Sequence, residues 1–320
     1  MRVRNLILFL LTYISLFQLV NAQNQKTAQL VIDAKATLGE GSIWDYRMGE
    51  LLWLDIDQSK LYIYTPALNK LVSKDLGQMP GTVIPAVNGS IILALKSGLF
   101  AFSRKDSVLR KIRPCPEKDR PLNRFNDGKC DPAGRLWVGT MSINGEAHQG
   151  RLYMFDFNGS FHIKIDSTST SNGIVWTSNH KKMYYIDTPC SCVMEYSYDE
   201  STGKIDSARM AVKIPKELGY PDGMTIDSQD KLWIAHWGGY GVYRWDPITG
   251  KLMETIKVPA KNVTSCAFGG DKLDILYITT ARKGNSEEEL KQYPLTGGLF
   301  KIKPGVRGVQ AFYFGQNETK

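Results

Sequence analysis

Four side chains carrying hard oxygen donors recur at one place in a repeated pattern: Glu40, Asn126, Asn172 and Asp222. Each stands about eleven to thirteen residues before an aromatic residue of a following apolar run, respectively Trp53, Trp137, Tyr184 and Trp233. A glycine follows each within two positions, which lets the backbone turn sharply beside the donor. One acid on a turn such as Pro221-Asp222-Gly223 is an ordinary turn residue. Four equivalents in register converge if the repeats surround an axis, and they then make a metal site. Two carboxylates and amide oxygens suit Ca²⁺, Mg²⁺ or Mn²⁺ and also accept Zn²⁺. No Cys or His belongs to the set, which argues against a soft-metal site. Arg124 lies two residues before Asn126, and its fixed charge could hold a substrate hydroxyl, carbonyl or carboxylate at the same mouth. His236 falls on another strand of the unit that carries Asp222 and reads first as a packed histidine. A Ser-His-Asp hydrolase is disfavoured, because there is no Gly-x-Ser-x-Gly turn and only His148, His162, His180 and His236 could serve.

The elements that would position these residues are short strands. Asp222-Gly-Met-Thr-Ile-Asp leads to Lys231-Leu-Trp-Ile-Ala, Asn126-Asp-Gly-Lys-Cys-Asp to Arg135-Leu-Trp-Val-Gly, and Glu40-Gly-Ser-Ile-Trp-Asp to Leu51-Leu-Trp-Leu-Asp. Asn172-Gly-Ile-Val-Trp, Ser265-Cys-Ala-Phe-Gly-Gly and a weaker Gly81-Thr-Val-Ile-Pro begin similar units. Two further strand-like runs follow each pair, with Gly, Asn and Asp-Pro at the turns. Six such units predict an all-β, six-bladed β-propeller with four antiparallel strands per blade and a central metal site. Open stacked sheets would leave unpaired edges that a closed ring removes. Ala28 to Ala34 precedes the first unit and is expected to add the outer strand of the last blade. With no linker in sight, residues 23–320 read as one domain.

The chain has 320 residues, 42% of them hydrophobic and 22% charged, enough for a large core. Arg2 and Arg4, an uncharged apolar run from Leu6 to Val20, and Val20-Asn21-Ala22 together read as a cleaved signal peptide over residues 1–22. That implies export, to a periplasm or out of the cell, and no later stretch is apolar enough to span a bilayer. The formal charge of +8 is dispersed and carries no nucleic-acid footprint. Five cysteines (115, 130, 190, 192 and 266) leave at least one unpaired. Mostly buried thiols and at most one or two bridges are expected, Cys190-Ser-Cys192 having neither redox nor zinc-finger spacing. Sequons at Asn88, Asn158, Asn262 and Asn317 fit a eukaryotic secretory route and mean nothing in a periplasm.

Longer motifs occur in a fixed order: Leu38-Gly-Glu-Gly, Asn123-Arg-Phe-Asn-Asp-Gly-Lys, Asp131-Pro-Ala-Gly-Arg, Gly139-Thr-Met, Ser171-Asn-Gly, Pro221-Asp-Gly-Met and Thr264-Ser-Cys-Ala-Phe-Gly-Gly. From about Ala36 to Gly308 they resemble the regucalcin (senescence marker protein), gluconolactonase and luciferin-regenerating enzyme family. Trp233-Ile-Ala-His-Trp-Gly-Gly is most similar to its bacterial sugar-lactone hydrolases. The resemblance implies one divalent metal, with Ca²⁺ foremost, in the central cavity on Glu40, Asn172 and Asp222. It also implies Asp222 as proton donor and acceptor, and Arg124 and Asn126 on the substrate. Where regucalcin has a substrate-contacting Glu after Gly-Thr-Met, this chain has Asn144, with Glu146 nearby. The implied activity is metal-assisted hydrolysis of a sugar lactone by a monomeric enzyme. The alternatives are a non-catalytic metal- or sugar-binding propeller and a broader metal-dependent esterase or phosphotriesterase.

Overall fold

The structure is a computed structural model that describes residues 26–315. The signal-peptide reading of residues 1–22 and the sequon at Asn317 lie outside the described residues. Six four-stranded antiparallel sheets form the blades of a β-propeller. Their innermost strands are Gly39–Asp45, Pro80–Pro85, Asn123–Cys130, Ser171–Trp176, Tyr220–Ile226 and Asn262–Gly269, here blades 1 to 6. Each inner strand packs against the next, and that of blade 6 returns to blade 1. Gln29–Ile32 pairs antiparallel with Leu299–Ile302 as the outer strand of blade 6, so the first blade's predecessor closes the ring as anticipated. The inner strands are buried along almost their whole length, whereas outer strands such as Leu109–Pro114 are mostly exposed. The core therefore lies between the blades, in layers of Leu, Ile and Val with large aromatics such as Trp53, Trp137 and Trp233 fully enclosed.

The repeated Asp…Leu-Trp pattern has a physical cause. Asp131 stands five residues beyond Asn126, and Asp227 five beyond Asp222. Asp131 accepts hydrogen bonds from the Trp137 indole at 2.9 Å, Arg135 Nε at 2.7 Å and the Tyr198 hydroxyl at 2.8 Å. Asp227 accepts from Trp233 Nε1 at 3.0 Å and Arg244 Nε at 2.8 Å. Both acids are fully buried, so each holds a large aromatic and a desolvated guanidinium on one blade. In blade 1 the equivalent Asp45 bonds Arg104 and the Tyr313 hydroxyl instead.

The tail crosses the end of the channel opposite to Glu40 and Asp222. Ser228 N donates to Arg307 O, Phe314 N to Pro85 O, and Gly315 N to Gly134 O. Val309–Phe312 then line the foot of the channel beside Ile43, Lys129 and Phe268. The other mouth, at Glu40 and Asp222, is open to solvent. Among the described residues one disulfide forms, between exposed Cys190 and buried Cys192, because Ser191 adopts a left-handed conformation that folds the chain back. Cys130 and Cys266 are buried thiols and Cys115 is partly exposed. The Asn262 side chain is enclosed, accepting from Gly238 N and donating to Lys283 O, which leaves no room for a glycan.

Replacing Asp227 by Ala strands Arg244 and the Trp233 indole in the interior. We expect urea unfolding to show a loss of about 3–5 kcal/mol, against less than about 0.5 kcal/mol for Lys70→Ala on an exposed outer strand.

Candidate active site and metal centre

Every inner strand breaks register with its neighbour at one level of the channel. The shifts fall between Glu40 and Ile43, Pro80 and Thr82, Phe125 and Gly128, Ser171 and Ile174, Pro221 and Met224, and Val263 and Ser265. A β-bulge re-aims the side chain it contains. Gly81, Asn126, Asn172, Asp222 and Thr264 fall within these breaks, and Glu40, paired with Leu54, stands at the edge of its own. Gly81 has no side chain because a Cβ there would lie 2.3 Å from the Phe125 backbone. Thr264 turns its hydroxyl onto Gly39 O. Four oxygen-bearing side chains remain, the four that the repeat placed in register.

Hydrogen bonds sort these four. Asn126 is satisfied: its Oδ1 accepts from Arg124 Nη1 at 2.7 Å and its Nδ2 donates to Ser171 O at 2.7 Å. Asn172 donates through Nδ2 to Thr188 Oγ1 at 3.0 Å, and Thr188 passes its own proton to Pro221 O at 3.0 Å. That relay fixes the amide so that Asn172 Oδ1 is buried without a partner, as is Asp222 Oδ1. Glu40 keeps one bond, from Gly41 N at 3.0 Å. Burial, and after it the charge of Asp127, pushes the Glu40 carboxyl well above its ordinary range. Burial, and after it Glu40, does the same to Asp222. Two desolvated carboxylates in one cavity resist ionising together unless a cation sits beside them. Arg124 lies in the field of both acids, but its Nη1 is already committed to Asn126 and Phe125 O. The donors fit a divalent cation: hard oxygens, two of them orphaned, on three blades around one axis. Among the described residues no three His, Cys, Asp or Glu cluster as a metal site, and here the third donor is an amide.

The cavity above these groups holds about 510 Å³ and is also lined by Arg124, Asn144, Thr170 and Thr188. Asn144 sits exposed at the rim, whereas Glu146 lies outside the lining and meets Ser142. Sequence reasoning missed the braces behind the ring. Asp55 accepts from Thr37 N at 2.8 Å and Leu38 N at 3.1 Å, just before Glu40. Asp187 accepts from Ser169 N at 3.0 Å and Thr170 N at 2.7 Å, just before Asn172. His236 occupies the same register in blade 5, opposite Pro221. Its Nδ1 donates to Leu218 O at 2.8 Å, so it holds the approach to Asp222 by a carbonyl instead of two amides. The recurring Leu-Asp and Ile-Asp that close the second strands were the available signal. Asp127 was missed as well, since Oδ2 of this enclosed acid has no partner and only its fold position puts it beside Glu40 and Asp222.

Residues 38–282 match the family described as SMP-30/Gluconolactonase/LRE-like region. The chain belongs to this family. It is 40% identical over 288 residues to a Bacillus subtilis protein named "Putative sugar lactone lactonase YvrE", covering 90% of this chain and 98% of that one. It is 36% identical to the regucalcin of Xenopus laevis, over 88% and 96% of the two chains. The crystal structure of regucalcin from Agrobacterium tumefaciens, described as a calcium-binding protein, superposes with a TM-score of 0.87 at 26% identity, over 91% of this chain and 98% of that one. Family membership agrees with the observed blade count and strand order.

His236 yields a test of its bracing role. Burial holds its imidazole down at about 4 and its Nε2 has no partner to receive a proton. The unfolded chain protonates near pH 6.5, so between pH 6.5 and 4 it takes up a proton that the folded chain refuses, and stability falls with falling pH. Glu40 and Asp222, being raised, act in the opposite sense, so the comparison must be with a variant at His236. From pH 7 to 4.5, urea unfolding of the wild type should lose about 2–3 kcal/mol more than that of His236→Asn.

Proposed function

We propose that this chain is a metal-dependent hydrolase that opens a sugar lactone at the mouth of the channel. The observation that carries the reading is the pair of desolvated carboxylates, Glu40 and Asp222, beside the unpartnered Oδ1 atoms of Asn172 and Asp222. Glu40, Asn172 and Asp222 would hold one divalent cation, with Ca²⁺ favoured by the all-oxygen donor set and by the calcium-binding relative. When bound, the cation would supply Lewis-acid polarisation of the ester carbonyl. Arg124 and Asn126 hold each other in a fixed orientation and offer N–H donors and an amide oxygen to the hydroxyls of the ring. Asn144 reaches the same substrate from the rim. Asp222 takes the proton of the attacking water and returns it to the ring oxygen as the ester C–O bond breaks, which leaves a hydroxy acid. The kinship with a protein named as a sugar lactone lactonase supports the substrate class. The same reading takes residues 1–22 as a signal peptide, residues 23–320 as one domain, and the product as an exported monomer.

Activity on an aldonolactone panel should vanish on exhaustive chelation, return with added divalent cation, and fall at least about a hundredfold in Asp222→Ala. Full activity in the chelated protein would sink the metal-dependent reading. Thr188→Val frees the Asn172 amide to rotate, and titration calorimetry should then show cation affinity lowered about 10–100-fold with the fold intact.

A further inference from the structure

The cavity divides by depth into two chemistries. Its floor is polar and enclosed: Glu40, Arg124, Asn126, Asn172 and Asp222 are each at least nine-tenths buried. Its mouth is apolar. Met79 from blade 2, Met141 and Ile143 from blade 3, and Tyr220 and Trp237 from blade 5 all line it. Ile143 is 39% exposed and Tyr220 52%, with the other three partly exposed. Tyr220 and Trp237 face one another across adjacent strands, and the indole is wedged against Gly284, where a Cβ would come within 2.9 Å of the ring. The charged pair at the mouth, Asp57 and Lys283, is closed on itself at 2.9 Å and asks for no ligand charge. Thr188 is likewise engaged on both sides. Single exposed apolar residues need no explanation, but five converging on the opening of one polar cavity do.

A bare aldonolactone carries oxygen on every carbon. It would satisfy the floor and leave Met79, Met141 and Ile143 facing either water or hydroxyls that they cannot bond. The volume of about 510 Å³ also lies in the range that encloses drug-sized ligands, well above a six-carbon ring. We infer that the substrate is an amphipathic lactone: a ring whose ester and polar edge sit on the floor, with an alkyl or aryl substituent lying along the Met79–Met141–Ile143 and Tyr220–Trp237 collar. The two methionines suit a substituent of variable shape, since their unbranched thioethers repack at little cost. The inference rests on the lactone-hydrolase reading of the floor and goes beyond it in naming what the mouth selects.

The test compares kcat/KM of the cation-loaded protein for gluconolactone and galactonolactone with a series of γ- and δ-lactones bearing methyl to octyl chains. Each methylene drawn into the collar should raise kcat/KM about threefold, until the chain outgrows it. Ile143→Asn and Met79→Gln should flatten that slope. The octyl-to-methyl ratio is read within one protein preparation, so a partly misfolded variant does not distort it. A flat or falling series, with aldonolactones opened well, overturns the inference and leaves the hydrolase reading standing. If no lactone is opened, the hydrolase reading fails, and titration calorimetry with the corresponding alkyl lactams decides the collar separately. Tighter binding of octyl than methyl lactam supports it, and equal affinities overturn it.

Discussion

Two enclosed carboxylates with no salt bridge of their own are the constraint on which the rest of this site depends. In water Glu40 and Asp222 would separate, because like charges repel and each prefers solvent. Here they cannot move. Glu40 belongs to the first blade and Asp222 to the fifth, and both inner strands are clamped between neighbouring blades. The register break at or beside each acid is flanked by paired backbone on both sides. The site stores the cost of this arrangement in raised proton affinity and in the orphaned oxygens of Asn172 and Asp222. A bound divalent cation would relieve both at once.

The braces show how a repeated fold supports one asymmetric site. Asp55 and Asp187 each collect two backbone N–H groups just before a donor residue. In the fifth blade the equivalent residue, opposite Pro221, is His236, which donates to the Leu218 carbonyl. In the third blade the same register holds Thr140, whose hydroxyl bonds the buried Glu117. One structural position thus anchors its surroundings by three different chemistries in four blades. The far end needs no such precision. There the tail closes the channel with backbone hydrogen bonds and apolar side chains, so the cavity has a floor and a single working mouth.

Floor and mouth answer to different pressures. The floor must present charge and hydrogen-bond donors without competing water, and its residues are accordingly buried and mutually fixed. The side chains of the mouth are partly exposed and mostly apolar.

Strand periodicity, the spacing of Glu40, Asn126, Asn172 and Asp222, and the Asp-Leu-Trp units were enough to determine six blades, the closing strand near Ala28–Ala34 and the four channel positions. These are local signals, and a repeat multiplies each one. The division among the four was not legible from spacing. Asn126 and Asn172 have the same side chain at the same register, and only the neighbours that the ring brings in, Arg124 and Ser171 for one and Thr188 for the other, leave the first satisfied and the second free. The disulfide at Cys190 and Cys192 escaped the spacing argument because it depends on the left-handed turn at Ser191. The roles of Asp55, Asp187, His236 and Asp127, and the apolar collar, were likewise decided by tertiary structure. Each depends on what faces a side chain across the channel or across a strand pair. Sequence alone determines which residues can act, and packing determines which of their atoms are left without a partner.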